Sequence, residues 1–263
     1  GLDISIGYKD GKMVLSRPDL FVPMVLRDGS MSLSELGQPD FLYHNNGNGK
    51  FSPISWIGGR FKMSNGKPPE TPPKGWGLAA MFRDMNNDGA PDIYVCNDFF
   101  YSPDAIWLND GKGTFQTAPT LAIRHTSMSS MAVDFADIDR DGFDDFFVAD
   151  MMSRSHQRRH RQRGSLTHVQ MNLPIDDPLY RPEYPRNMLY LNRGDGTYAE
   201  IAQFSGLDAS EWTWAVAFLD VDLDGFEDLL LTNGTLRDAN DADIVALGRM
   251  QHGNRSNTRF GRL

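Results

Sequence analysis

The 263-residue chain is 40% hydrophobic and 23% charged, the balance of a folded globular protein rather than a disordered one. Its formal net charge of −9 argues against general nucleic-acid binding, which rests on basic patches set against phosphate. A single cysteine, Cys96, excludes an internal disulfide and a Cys-based metal site, and no apolar run approaches the ~18 residues of a membrane-spanning helix.

In chain order, residues Gly1 to Asp10 show no signal-peptide pattern and read as the middle of a repeat. Asp3-Ile-Ser-Ile6 matches Asp92-Ile-Tyr-Val95 further on, so the chain is expected to start inside a repeat unit. Leu42-Tyr-His-Asn-Asn-Gly-Asn-Gly-Lys-Phe51 then gives a short strand, an Asn/Gly turn and a restart at an aromatic residue, the pattern of a β-hairpin. The same signature returns at Ile106 to Phe115 and at Leu189 to Tyr198. The prolines of Gly66 to Pro73 cannot sit in a central strand and mark a surface loop.

Between these hairpins one acidic loop occurs three times without a gap. The copies run Asp84 to Asp92, Asp137 to Asp145 and Asp220 to Asp228, each reading D-x-[DN]-x-D-G-x-x-D. Calcium takes six to eight hard oxygen ligands, and side chains at positions 1, 3 and 5 of a tight loop can converge on one ion. The expected ligands are Asp84, Asn86, Asp88 and Asp92; Asp137, Asp139, Asp141 and Asp145; and Asp220, Asp222, Asp224 and Asp228. The backbone carbonyls of Ala90, Phe143 and Phe226 at position 7 would add one oxygen each. An Asp-Gly turn alone needs no metal. Three copies with acids or Asn at every spaced position are harder to explain that way and point to a cation, because clustered carboxylates repel unless one neutralises them.

An EF-hand would close with Glu at position 12 and be flanked by helices. Here short apolar and aromatic runs stand before each loop (Trp76 to Phe82, Ser129 to Phe135, Trp212 to Phe218) and after it (Ile93 to Val95, Phe146 to Val148, Leu229 to Leu231), and these read as buried strands. Strand, metal loop, strand and hairpin make a four-stranded antiparallel blade, so the fold class expected is an all-β propeller. Only part of it is present. The expected division is a partial blade at 1–56, a blade with the first calcium loop at 76–120, a blade with the second at 126–203 carrying a basic insertion at 152–186, the start of a blade with the third at 210–234, and a tail or connector at 235–263. A closed propeller needs about four to eight blades, so an incomplete arc is expected, completed by further blades of the same or another chain.

These motifs resemble the FG-GAP or VCBS repeat proteins, the group that includes the integrin α-subunit propeller. Leu191-Asn-Arg-Gly-Asp-Gly-Thr-Tyr198 and Phe218-Leu-Asp-Val-Asp-Leu-Asp-Gly225 look like bacterial relatives of the cartilage acidic protein family, which carries an ASPIC/UnbV domain. The resemblance implies Ca2+ in the loop at each blade's rim, about three sites here, and a secreted or cell-surface location, with the periplasm as a variant. It implies no single catalytic activity.

Other candidates carry less. The run Arg154 to Arg163 could grip an anionic partner, but reads more simply as a solvated, mobile loop. Pro174 to Pro185 is expected to wrap the propeller surface, and the acidic stretch Arg237 to Asp243 to serve as a connector or docking arm. His156 and His160 are four apart within that Arg-rich run, which would repel a cation, so they are expected to be surface residues. Ser127, Ser129 and Ser130 lack a nucleophile motif, and the five tryptophans, mostly at strand positions, are expected to pack blades. Asn233-Gly-Thr235 and Asn254-Arg-Ser256 fit a glycosylation triplet that arises readily by chance. The leading reading is a non-enzymatic, calcium-binding surface module for adhesion, for binding protein or glycan, or for assembly with copies of itself. The alternative is the binding scaffold of a secreted carbohydrate-active or other hydrolytic enzyme.

Overall fold

The computed structural model describes residues 5–9, 12–25, 31–98, 102–166, 181–235, 241–244 and 246. In chain order the strands are β1 (Ile6–Lys9), β2 (Lys12–Leu15), β3 (Phe21–Val25), β4 (Met31–Glu35), β5 (Gln38–Pro39), β6 (Tyr43–Gly47), β7 (Lys50–Pro53), β8 (Phe61–Lys62), β9 (Lys74–Gly75), β10 (Gly77–Arg83), β11 (Asp92–Asn97), β12 (Ala105–Asn109) and β13 (Phe115–Thr117). They continue as β14 (Thr126–Ser127), β15 (Ala132–Ala136), β16 (Asp145–Ala149), then the helix α1 (His156–Leu166), β17 (Glu183–Tyr184), β18 (Met188–Asn192), β19 (Tyr198–Glu200), β20 (Thr213–Leu219) and β21 (Asp228–Asn233).

Two complete blades stand at the centre. The first has the order β10-β11-β12-β13, all antiparallel, with β8 added in parallel at its outer edge. The second has the order β15-β16-β18-β19. Beyond it β20 and β21 pair with each other and, among the described residues, with no further strand, as the inner half of a further blade. On the opposite side β6 and β7 form the outer hairpin of a preceding one. The fold is all-β, an arc of propeller blades.

The apolar runs after each loop are continuous because these strands are covered on both faces. Tyr94 and Cys96 of β11 point to the second blade, where they meet Phe135, Phe146, Val148 and Tyr190. Ile93 and Val95 point the other way, onto Phe61, Trp107 and Phe115, with Leu42, Ile54 and Trp56 packed outside them. Phe147 and Ala149 of β16 in turn meet Val216, Phe218, Leu229 and Leu231 of the half-blade. Burying one such side chain contributes about 1.5–3 kcal/mol, so each blade is held by both neighbours.

All three hairpin signatures form hairpins, and all three loops lie between paired strands. Residues 1–4 lie outside the described residues, and Ile6 begins β1, which pairs with β2. The basic run departs from expectation. His156–Leu166 is a helix rather than a loop, because its arginines find acids: Arg158 meets Glu211 at 2.8 Å, Arg159 meets Asp208 at 3.1 Å, and Arg161 reaches Asp241 and Asp243 at 3.5 and 3.7 Å. Of the insertion's second part, Glu183 and Tyr184 pair with β14, while residues 167–180 lie outside the described residues.

Candidate metal centres

Each acidic loop joins the first two strands of a blade and closes on its own side chains. In the second, the Asp141 N–H donates to Asp137 Oδ1 at 3.0 Å and to Asp139 Oδ1 at 3.3 Å, Gly142 N–H donates to Asp137 Oδ2 at 2.9 Å, and Phe143 N–H donates to Asp141 Oδ1 at 2.9 Å. The first loop repeats these bonds with Asp88, Gly89 and Ala90 as donors, and the third with Asp224, Gly225 and Phe226. The turn needs left-handed backbone twice. Position 6 is glycine in every copy, with φ of 86°, 89° and 91° at Gly89, Gly142 and Gly225. Position 4 is left-handed too, at Asn87, Arg140 and Leu223, although Arg and Leu adopt it at a cost of about 1–2 kcal/mol.

The acids converge. Carboxylate oxygens of Asp137, Asp139 and Asp145 lie within 4.8 Å of one another, as do those of Asp220, Asp222 and Asp224. Asp141 and Asp228 complete the two loops outside these trios. The first loop holds Asp84, Asp88 and Asp92 around Asn86, whose Nδ2 donates to Asp88 Oδ2 at 3.0 Å, so it has one charge fewer and an amide already engaged. Of the position-7 residues, Ala90 is buried and Phe226 exposed.

The closing acid behaves differently from the rest. Asp92 and Asp145 are fully buried, and burial pushes each carboxyl up to about 6, aided by the neighbouring loop acids and opposed by the backbone N–H groups that donate to it. Those donors are Met85 at 2.8 Å and Asn109 at 2.7 Å for Asp92, and Ile138 at 3.1 Å and Asn192 at 2.8 Å for Asp145. An all-oxygen cluster of this charge fits a hard divalent cation, which would relieve both the repulsion and the desolvation. Asp84, Asn86, Asp88 and Asp92 would hold the first ion, with the matching residues of the other loops holding the second and third.

Sequence reasoning missed the asparagine that pins the closing acids Asp92 and Asp145. Asn109, at the end of β12, donates its N–H to Asp92 and its Nδ2 to the Pro91 carbonyl at 3.0 Å. Asn192 repeats this on Asp145 and on the Asp144 carbonyl at 3.2 Å. The signal was present, since this asparagine opens the Asn/Gly turn of every hairpin signature, but its distance along the chain from the acid varies with the insertion. The loops are also stitched to one another. Arg83 meets Asp144 at 2.5 Å, Arg140 meets Glu227 at 3.4 Å and covers the Phe226 ring at 5.5 Å, and Tyr198 OH donates to the Met85 carbonyl at 2.7 Å.

The remaining candidates fall into place as structure. Ser127 and Ser130 donate to buried Asp150 and Asp104. His156 and His160 are exposed, their Nε2 atoms 3.0 Å apart on α1. Trp107 is buried in the blade, whereas Trp214 is 53% exposed.

Blades of four antiparallel strands, packed face to face with an acidic loop at the same corner of each, define a β-propeller-type repeat module. More particularly, the FG-GAP-like repeat model matches residues 84–148 and 177–231, and over those residues the chain carries FG-GAP-like repeats. No curated protein matches it. The match does not extend to the ASPIC/UnbV relation.

Proposed function

We propose that the chain is a calcium-binding propeller module that works in secreted form or at a cell surface, where it binds a protein or glycan partner and performs no catalysis itself. The observation that supports this most is the threefold recurrence of one loop whose side-chain donors are all oxygen and whose backbone closes through the same hydrogen bonds. When bound, calcium supplies charge neutralisation and a cross-link across the first strand connection of each blade. The protein's own part is to present the carboxylates. Gly89, Gly142 and Gly225 turn the chain tightly enough for positions 1, 3 and 5 to meet. Asn109 and Asn192 hold the closing acids ionised against burial.

For a module working outside the cell, where calcium is abundant, affinity is expected near roughly 10⁻⁴ to 10⁻³ M. The arrangement suits a binding module, since FG-GAP repeats are binding units. Elemental analysis of the purified chain and calorimetric titration with Ca2+ test the metal. Calcium should also raise the melting temperature and EGTA lower it. A metal-free protein whose melting is indifferent to both would remove the calcium reading.

A further inference from the structure

His156 and His160 stand one turn apart on α1, with their Nε2 atoms 3.0 Å from each other and their ring planes at 84°. Residues four apart share one helix face, and here both side chains are exposed. A different face holds the helix down. Gln162 Oε1 accepts from Ser153 N–H at 2.8 Å, its Nε2 donates to the Met151 carbonyl at 3.3 Å, and Arg159 Nε donates to the Ser153 carbonyl at 3.0 Å. The two imidazoles thus project from a backbone that is anchored elsewhere.

The charge around the pair does not bar a cation. The run is basic as a sequence, but in the fold Arg158, Arg159 and Arg161 meet four carboxylates, those of Glu211, Asp208, Asp241 and Asp243. Glu211 also sits at the start of the helix. Its Oε1 accepts from the Ser153 hydroxyl and from Arg154 N–H, each at 3.0 Å, which offsets the positive end of the helix dipole beside His156.

We infer that His156 and His160 form a two-nitrogen site for a divalent transition-metal ion, Zn2+ or Cu2+, separate from the three acidic loops. Two imidazole nitrogens at about 2.0–2.1 Å from one tetrahedral ion stand about 3.3 Å apart, so a pair at 3.0 Å has to open by only about 0.3 Å. Imidazole suits these ions, whereas the all-oxygen loops suit calcium, and ligand type therefore sorts the two metals between the two kinds of site. Among the described residues no third imidazole, thiol or carboxylate gathers with the pair, so water fills the other coordination positions. The ion ties one turn of an 11-residue helix, shorter than the roughly 12–15 residues at which helices become even marginally stable alone in water.

Calorimetric titration of the full chain with Zn2+, free of any histidine tag and in saturating Ca2+ so that the acidic loops do not compete, tests the site. His156→Ala and His160→Ala should each weaken binding by at least the roughly tenfold that losing even an outer-shell partner costs. His44→Ala, which removes an exposed histidine on β6, should leave binding unchanged. Both α1 histidines are exposed, so the variants should keep the wild-type circular dichroism spectrum. Copper stands above zinc in the affinity order and should bind more tightly, with electron paramagnetic resonance showing coupling to two imidazole nitrogens. No Zn2+ binding by the wild-type chain, an affinity that survives in both alanine variants, or a copper spectrum with one nitrogen or none overturns the site.

Discussion

Replacing Asp145 by alanine separates the two jobs of a closing acid. Without calcium, the change strips two N–H groups of their acceptor, Ile138 and the buried Asn192, at about 2–4 kcal/mol together. It also removes a charge that burial holds at a cost, which offsets roughly half of that, leaving about 1–2 kcal/mol. With calcium at 100 times its dissociation constant, the wild-type loop gains about 2.7 kcal/mol that the variant forfeits. The total is then about 4 kcal/mol, or a fall in melting temperature of about 8–16 °C for a chain of this size. Asp139→Asn is the partner experiment. Asp139 is exposed and accepts only the Asp141 N–H at 3.3 Å, and the first loop already carries an asparagine, Asn86, at that position. Its melting in EGTA should match wild type within about 0.5 kcal/mol, and its loss should appear only when calcium is present. Differential scanning calorimetry in EGTA and in calcium reads all four numbers. If Asp139→Asn is as harmful in EGTA as in calcium, the loop is a structural turn and the metal argument is wrong.

Three further outcomes follow from the same packing. Burial pushes the Asp104 carboxyl up to about 7, with Asp150 adding to it and the donors Tyr94, Asn97 and Ser130 opposing. Because the folded state holds that proton more tightly than the unfolded chain, this group's contribution falls as pH rises from about 4 to about 7 and is level above; Asp104→Asn should flatten that slope in EGTA melts. Gly142→Ala meets no atom within 4 Å but must adopt a φ of 89°, so it should destabilise by about 1–2 kcal/mol through strain alone, read by chemical denaturation. Arg140→Ala deletes a partly exposed ion pair and a ring contact between the second and third loops, and should cost below about 1 kcal/mol while reducing any cooperativity of calcium binding seen by calorimetry.

The blade and its loops were legible because their signals are local. Gly142 must turn where Asp137 and Asp141 need it to, and the paired apolar runs flank it within a few residues. What escaped depends on partners far along the chain. The arginines of α1 read as a repelling block until Glu211 and Asp208, about fifty residues later, are seen to neutralise them. Trp214 carries a strand pattern yet points to solvent, because its outward face belongs to a half-blade without a neighbour among the described residues. The Asn192 clamp on Asp145 crosses the insertion and has no fixed spacing to search for.

That clamp has a consequence for how such chains diversify. Between the second and third strands, the first blade needs only residues 98–104, while the second runs through residues 150–187, and the strand register on either side is the same. In both blades one asparagine against one aspartate pins the far end of the strands, so that end keeps its register whether the connection opposite is short or long. The length of the connection is thus set free from the pairing of the strands that it joins, and a seven-residue link and one that carries a helix serve the same blade.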